Sequence, residues 1–401
     1  MSRKVLVALV VAILLFGAPV AIYKVMNAEP FKVDAEDIVH GEAPTIRIYD
    51  AKIGDAKIRD INGAKEVTVT VGDRTYPVIL DFNKGEAVFE VSDSIDDVGV
   101  YTVSVEIDNV TKTTTLNVFL FTIYDDIGKV GFFDYPEKIV SLGKAFTDTL
   151  FYLEKGENII AVDGYSKELN KTYPSLDDIT NLGSSASSWN TEEIAEMDLD
   201  LVIMYHYTWG SYPQVREQLE SFGVKVAAFY PKSYQEVMDM VLTFGNMLNC
   251  SDKAQDIYDA MNTTRTTIAN AVSDIPQDER LRVYAELRNK KTVNEGSLMH
   301  ELITMAGGVN VAQNPDLGST YEAEGEWVSL QNVSVVVVEN AHPDNNETIL
   351  ERCFLDSNTP VHRLTDDTYL NYSPSLEKGL LEIAGFFHEI RPDPYPDPEN
   401  I

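Results

Sequence analysis

Aromatic, basic and hydroxyl side chains gather just after several apolar runs of this sequence. "KIVSL" ends at Leu142 and is followed by Gly143, Lys144 and Phe146, and "IIAVDGY" ends in Tyr165. "LVIMY" delivers Tyr205, His206, Tyr207 and Trp209, while the small-residue turn "GSSASSWN" carries Ser187, Ser188 and Trp189. Further along, "VYAELR" delivers Glu286 and Arg288, and Tyr321 lies in the loop ahead of Glu326. Aromatic faces of this kind suit a large, partly apolar ligand. The Arg288 guanidinium suits a carboxylate or another anion, gripped by two parallel hydrogen bonds. His206 offers an imidazole that is able to ligate a metal, although a lone histidine is more often a hydrogen-bonded loop residue. Packing between helix and sheet is the alternative role for the aromatics.

These residue types point to binding more than to catalysis. Lys144 follows Gly143, but no Ser or Thr comes next and the upstream glycine of a phosphate-binding loop is missing. "HELIT" at His300 lacks the second histidine of a zinc protease, and no G-x-S-x-G occurs. The two cysteines, Cys250 and Cys353, form no CxxC or Cys/His cluster and so make no metal site by themselves; no cofactor is expected. With 64 acidic against 32 basic residues the formal charge is −32, and no basic stripe is visible; nucleic acid is excluded as a partner.

The elements that must position these residues follow from hydrophobic periodicity. Arg3 and Lys4 precede an uncharged stretch over 5–23, long enough for a membrane-spanning helix, so residues 1–28 are expected to be an uncleaved signal anchor. Cleavage at the weak "GAPVA" site is the alternative. The remainder is then exported, and sequons such as those at Asn109 and Asn346 agree with that. Residues 30–124 read as short alternating strands rich in Val, Thr and aromatics, which predicts a β-sandwich. "DDVGVYTVSV" holds Asp97, Gly99 and Tyr101 in a D-x-G-x-Y pattern that resembles the corner of immunoglobulin-like domains.

From about 125 onward apolar strands alternate with helices, which implies parallel sheets covered by helices. The pattern predicts a first α/β lobe over 125–232 and linker helices over 233–275, with a break and a fresh N-cap at Ser251. A second lobe over 276–390 and a disordered tail over 391–401 complete the chain. Gly156 and Gly223 are placed as glycines just past helix ends. Ligands of such sheets sit beyond the carboxyl ends of the strands, and that rule selects the candidate residues.

With these residues assembled, the chain resembles a known family. "PEKIVSLGKAFTDTLFYLEKGENIIAVDGYS", "LGSSASSWNTEEIAEMDLDLVIMY", "SLMHELITMAGGVNVA", "EWVSLQNVSVVVV" and "LLEIAGFFHEI" occur in the order of the landmarks of substrate-binding proteins for iron–siderophores, haem and cobalamin. The similarity covers about 136–390, although Leu199 and Val333 stand where the family usually has Pro. The resemblance implies two Rossmann-like lobes joined by a long helix, here preceded by an all-β Ig-like sandwich and an N-terminal transmembrane helix. It also implies a monomeric, non-enzymatic receptor outside the cytoplasmic membrane that carries a metal chelate containing Fe or Co. The partner implied is an ABC importer permease, docked through Glu192 and Glu326. Without the resemblance, both are first-turn glutamates that favour a helix N-terminus. A membrane-anchored surface sensor or adhesion protein, or a chelatase-like enzyme, are the alternative readings of the fold.

Overall fold

A computed structural model describes residues 30–53, 59–206, 212–395 and 397. The expected anchor (5–23), together with Tyr207 and Trp209, lies outside the described residues. Among the described residues no helix is long and apolar enough to cross a membrane. The chain divides into two compact units, one reaching Thr122 and including Val130–Asp134, the other formed by Ile123–Lys129 and the chain from Tyr135 onward. The division is therefore not a single cut near 124, because the chain passes into the second unit and returns once.

The N-terminal unit consists mainly of two sheets. Three antiparallel strands, Lys32–Ala35, Thr45–Tyr49 and Ala87–Glu90, form one. The other has five strands in the order Ile38–Val39, Val110–Phe119, Gly99–Ile107, Gly63–Val71 and Arg74–Phe82. Alternation explains the packing: Val103, Val105 and Ile107 point inward with Val67, Val69, Ile46 and Ile48, and one apolar core takes residues from both sheets. The hairpin at Asp108 and Asn109 places both residues at positive φ, as a two-residue type I′ turn requires. Tyr101 donates its hydroxyl to the Asp97 carbonyl at 2.9 Å, closing the corner signalled by D-x-G-x-Y. Replacing Tyr101 with Phe removes this one neutral hydrogen bond and is expected to cost about 1 kcal/mol in denaturant unfolding, with the m-value unchanged.

The second unit contains two α/β lobes. In the first, strands β1 (Ile139–Leu142), β2 (Ile159–Val162), β3 (Thr180–Asn181), β4 (Leu201–Tyr205) and β5 (Val226–Phe229) are all parallel, in the order β3-β2-β1-β4-β5. Continuous apolar runs form β1, β2, β4 and β5 because helices bury both faces; β4 is buried from Leu201 to Met204, while β3 at the edge is exposed. The helices are α1 (Lys144–Tyr152), α2 (Thr191–Ala195) and α3 (Tyr212–Ser221). Gly223, with φ +82, ends α3, and Val224 N–H bonds back to the Leu219 carbonyl. Gly156 does not play that part for α1. Glu154 takes the left-handed conformation there (φ 60), and Gly156 is required instead because a Cβ would meet the Phe151 ring.

Two helices lead out of the first lobe, α4 (Tyr234–Met247) and α5 (Ser251–Val272). The cap of α5 is Cys250, and Ser251 is its first helical residue, one position from the expected N-cap. Helix α4 is shared by the lobes. Its start, Tyr234, Val237 and Met238, belongs to the core of the second lobe, while Phe244 packs on Phe146 and Phe229 of the first.

The second lobe is built on β6 (Arg282–Glu286), flanked by antiparallel β7 (Thr292–Val293) and parallel β10 (Val335–Val338). Strands β8 (Val309–Asn310), β9 (Thr320–Tyr321) and β11 (Val361–Arg363) complete the sheet. Its helices are α6 (Leu298–Met305), α7 (Gly325–Ser329), α8 (Asn346–Arg352) and α9 (Leu376–Ile390). The tail expected to be disordered is docked through Tyr395, although Pro392 and Asp393 are exposed. Tyr395 is 2% exposed, accepts Leu281 N–H and donates to the Gly307 carbonyl, with its ring against Phe387.

Candidate functional site

In the first lobe β2 and β4 lie on opposite sides of β1, so successive connections leave β1 in opposite directions and open a crevice beyond its carboxyl end. Gly143 and α1 occupy that position. A Cβ at Gly143 would lie 2.7 Å from the rings of both Phe146 and Tyr205, so only glycine permits the turn. Helix α1 begins there with no side-chain cap, which leaves first-turn N–H groups directed out of the helix end. Lys144 is its first residue; its side chain is 20% exposed and ion-paired to Glu168 at 3.2 Å.

Beneath this end lies a buried polar layer. Ser141, Thr147 and Ser166 hydroxyls form a chain at 2.8 and 2.9 Å, and Ser166 N–H donates to Asp163. Burial pushes the Asp163 carboxyl above its ordinary value of 3.8. Together these contacts fix the segment carrying Tyr165, which is 53% exposed, to α1. At the end of β4, Tyr205 packs on Phe146 with centroids 4.4 Å apart, and His206 stands beside it with its N–H on the Phe229 carbonyl. A cavity of about 340 Å³ opens there, lined by Tyr205, His206, Arg216, Glu217 and Glu220. Asp125, its side chain fully buried, ties two of the lining residues together by accepting Ala228 N–H and the Arg216 guanidinium.

In the second lobe the end of β6 is organised by charge. Glu286 is fully buried and takes both arms of the Arg352 guanidinium, at 2.9 and 2.6 Å. Tyr284 donates to it at 2.9 Å, and His342 Nε2 lies 3.1 Å away. Because His342 Nδ1 accepts Asp344 N–H, its proton belongs on Nε2 and is donated to Glu286. The next turn carries Arg288, its side chain 63% exposed, whose backbone N–H bonds Glu339 at 2.7 Å and whose guanidinium Nε lies 3.6 Å from the same carboxylate, and Lys290, paired with Asp344 at 3.0 Å. Arg363 gathers the carbonyls of Glu339, Asn340, His342 and Asp344, so the loop opposite Arg288 is held as one piece.

Three candidates expected to line the cleft are interior instead. Phe146 is fully buried because the face of α1 it occupies turns onto Tyr205, Phe229 and Phe244. Trp189 is 6% exposed within the first-lobe core, its indole N–H on the Gly183 carbonyl, so its turn packs down on the sheet. Glu286 faces inward to the Arg352 fork. Tyr321 is half-buried and donates its hydroxyl to the Ala312 carbonyl. Ser187 is exposed and shares a hydrogen bond with Ser185; the side chain of Ser188 lies outside the described residues. Lys144, Tyr165, Tyr205 and His206 share the ends of the first-lobe strands, and Arg288 stands at the equivalent end of the second. Glu192 and Glu326 are both exposed, each in the first turn of a short helix, α2 and α7. Cys250 and Cys353 are free.

Sequence reasoning missed Asp148, Tyr230, Lys290 and Tyr372. Burial and the neighbouring Tyr230 push the Tyr372 hydroxyl up to about 12, and Lys232 lies over the Tyr230 ring at 5.2 Å. Tyr230 closes the run "VKVAAFY" and was accessible to the same strand-end rule; the others depend on contacts between distant segments.

Residues 139–352 match the model of the periplasmic binding protein family, and the chain belongs to that family. Two curated proteins from strains of Halobacterium salinarum, each called a cobalamin-binding protein, are 26% identical over 212 residues. The match spans 52% of this chain and 55% of theirs, so the chain spans about half the length of these relatives. Among solved structures, a periplasmic solute-binding protein from Veillonella parvula aligns with a TM-score of 0.59 at 17% identity, over 69% of this chain and 88% of that one. The molybdate-binding MolA of Haemophilus influenzae gives 0.58 at 17% identity, over 69% and 92%. The haem-binding RhuT of Roseiflexus gives 0.53 at 19%, over 63% and 98%. At these identities the likeness to the solved structures is one of fold, a mixed α/β periplasmic binding protein.

Breaking the Glu286 pair tests the architecture of the second lobe. Arg352→Ala leaves a buried carboxylate with only Tyr284 and His342, and is expected to destabilise by about 3 kcal/mol, the lower end for a broken buried pair. Thermal unfolding followed by circular dichroism checks it; a change under about 0.5 kcal/mol, the scale of an ordinary surface substitution, would mean that Arg352 is dispensable.

Proposed function

We propose that this protein is an extracytoplasmic receptor that holds an anion-bearing metal chelate between its two lobes and delivers it to an ABC importer. One observation carries the reading. In a chain of net charge −32, the central strand of each lobe is followed at its carboxyl end by a cation oriented by a carboxylate: Lys144 by Glu168, and Arg288 by Glu339. The open N-terminus of α1 adds donors on the first-lobe side, and Tyr165, Tyr205 and His206 add aromatic surface. Acidic carboxylates or phosphates at the rim of a corrin, porphyrin or siderophore fit such a pair of cations. The two cobalamin-binding relatives support the same ligand class, and we take cobalamin as the first candidate to test.

The family supports delivery to a permease, with Glu192 and Glu326 as its docking residues on the two lobes. The anchor over 5–23 would hold the receptor at the outer face of the membrane. The N-terminal unit, read as an Ig-like sandwich, would act as a spacer.

Native mass spectrometry of the full-length protein against cobalamin, haem, ferric hydroxamate, ferric catecholate and divalent metals tests the reading. One chelate retained per chain is expected. Lys144→Ala and Arg288→Ala should each weaken it by about tenfold or more, the loss of one charge-assisted contact. Glu192→Ala and Glu326→Ala should leave affinity unchanged and lower receptor-stimulated ATP hydrolysis by the reconstituted importer. Retention of no chelate, or full affinity in both cation variants, contradicts the proposal.

A further inference from the structure

Asp148 lies on α1 with 1% of its surface exposed, and no ion pair reaches it among the described residues. Its carboxylate is satisfied by three hydroxyls. Oδ1 accepts from Tyr173 of the same lobe at 2.7 Å. Oδ2 accepts from Ser373 at 2.6 Å and from Ser375 at 2.7 Å, two buried serines of the second lobe more than two hundred residues away. These are the short distances of hydrogen bonds to a charged acceptor. One oxygen therefore ties the carboxylate to its own lobe, and the other is given wholly to the opposite lobe. Lys378, at the start of α9, adds to the junction by lying 5.3 Å from the Tyr152 ring.

The placement matters for the cleft. Ser373 and Ser375 belong to the segment that leaves the carboxyl end of β11 and enters α9, and α1 leaves the carboxyl end of β1. The contact thus joins the two sheets on the side where their strands end. Lys144 stands four residues before Asp148 on the same face of α1, so the cation assigned to the ligand and the acceptor assigned to the second lobe share one turn of helix.

We infer that Asp148 is a lobe-positioning residue: through Oδ2 its carboxylate grips Ser373 and Ser375 and sets the width of the cleft. A salt bridge would do this with two long, adaptable side chains; a short carboxylate against two serines leaves little play. The inference takes its meaning from the receptor reading, but its test requires no ligand.

The test is the inter-lobe distance in the full-length protein, measured by electron–electron double resonance. Spin labels are attached through Asp178→Cys and Asp316→Cys, both exposed positions, after Cys250→Ser. Asp148→Asn is expected to shift the distribution to longer distances and broaden it. Ser373→Ala with Ser375→Ala, which alters only the second lobe, should produce the same shift and serves if Asp148→Asn fails to fold. Tyr173→Phe removes the donor from within the first lobe and should leave the mean distance unchanged. Unchanged distributions in the first two variants overturn the inference, as does an equal shift in Tyr173→Phe, which would report general loosening. The expected shifts in a protein that retains no chelate would support the lobe contact and count against the receptor reading alone.

Discussion

A carboxylate taken out of water must find donors, and the lobes of this protein are arranged around that requirement. Asp125, Asp148, Asp163 and Glu286 all lie buried near the ends of strands. Asp163 takes its donor from Ser166, three residues on, whereas the other three collect donors from elements that are distant in sequence. Asp125 joins the segment entering the first lobe to α3 and β5. Asp148 joins the two lobes, and Glu286 joins β6 to α8 and to the loop after β10. A lost partner would leave a charge uncompensated, so these contacts make the loops at the strand ends stiff. Stiff loops are what a binding site needs, because ligand affinity is not then spent on ordering them.

The cations at the strand ends depend on the buried anions. Arg288 and Lys290 project from a turn whose neighbours are tied down by Glu339, Asp344, Arg352 and Arg363. Lys144 projects from a helix that is fastened at its buried face through Thr147 and Asp148. The strong net negative charge of the chain makes these few cations conspicuous, and it disfavours the approach of other polyanions to the rest of the surface. The shared helix α4 lets the lobes keep separate cores while Phe244 and Tyr234 anchor its two ends.

Much of this architecture was legible in the sequence because it rests on periodicity. Apolar runs such as "LVIMY" and "VVVV" became buried parallel strands, and the acidic turns at Glu192 and Glu326 became short helices. The strand-end rule singles out Lys144, Tyr165, Tyr205, His206 and Arg288, and these do stand at the carboxyl ends of strands. It failed where a residue stands at a strand end but turns inward: Phe146, Trp189 and Glu286 look like cleft residues by type and position, and only the packing of α1, the small-residue turn and the Arg352 fork reveals their direction. Asp148 was hidden for a different reason. Its partners are two serines and a tyrosine in polar loops, and no spacing links residue 148 to 373 and 375. Tyr395 was misjudged because the Pro-rich composition of the tail suggested a lack of order, whereas one hydroxyl and one ring suffice to dock it.

The central claim is that solute is held by both lobes at once, at the carboxyl ends of β1 and β6. Hydrogen exchange of the full-length protein with and without saturating cobalamin tests it most directly. The account predicts simultaneous protection of the first turn of α1, including Lys144, and of the turn carrying Arg288 and Lys290, with the N-terminal unit unchanged. Protection confined to one lobe, or appearing in the N-terminal unit instead, would contradict it.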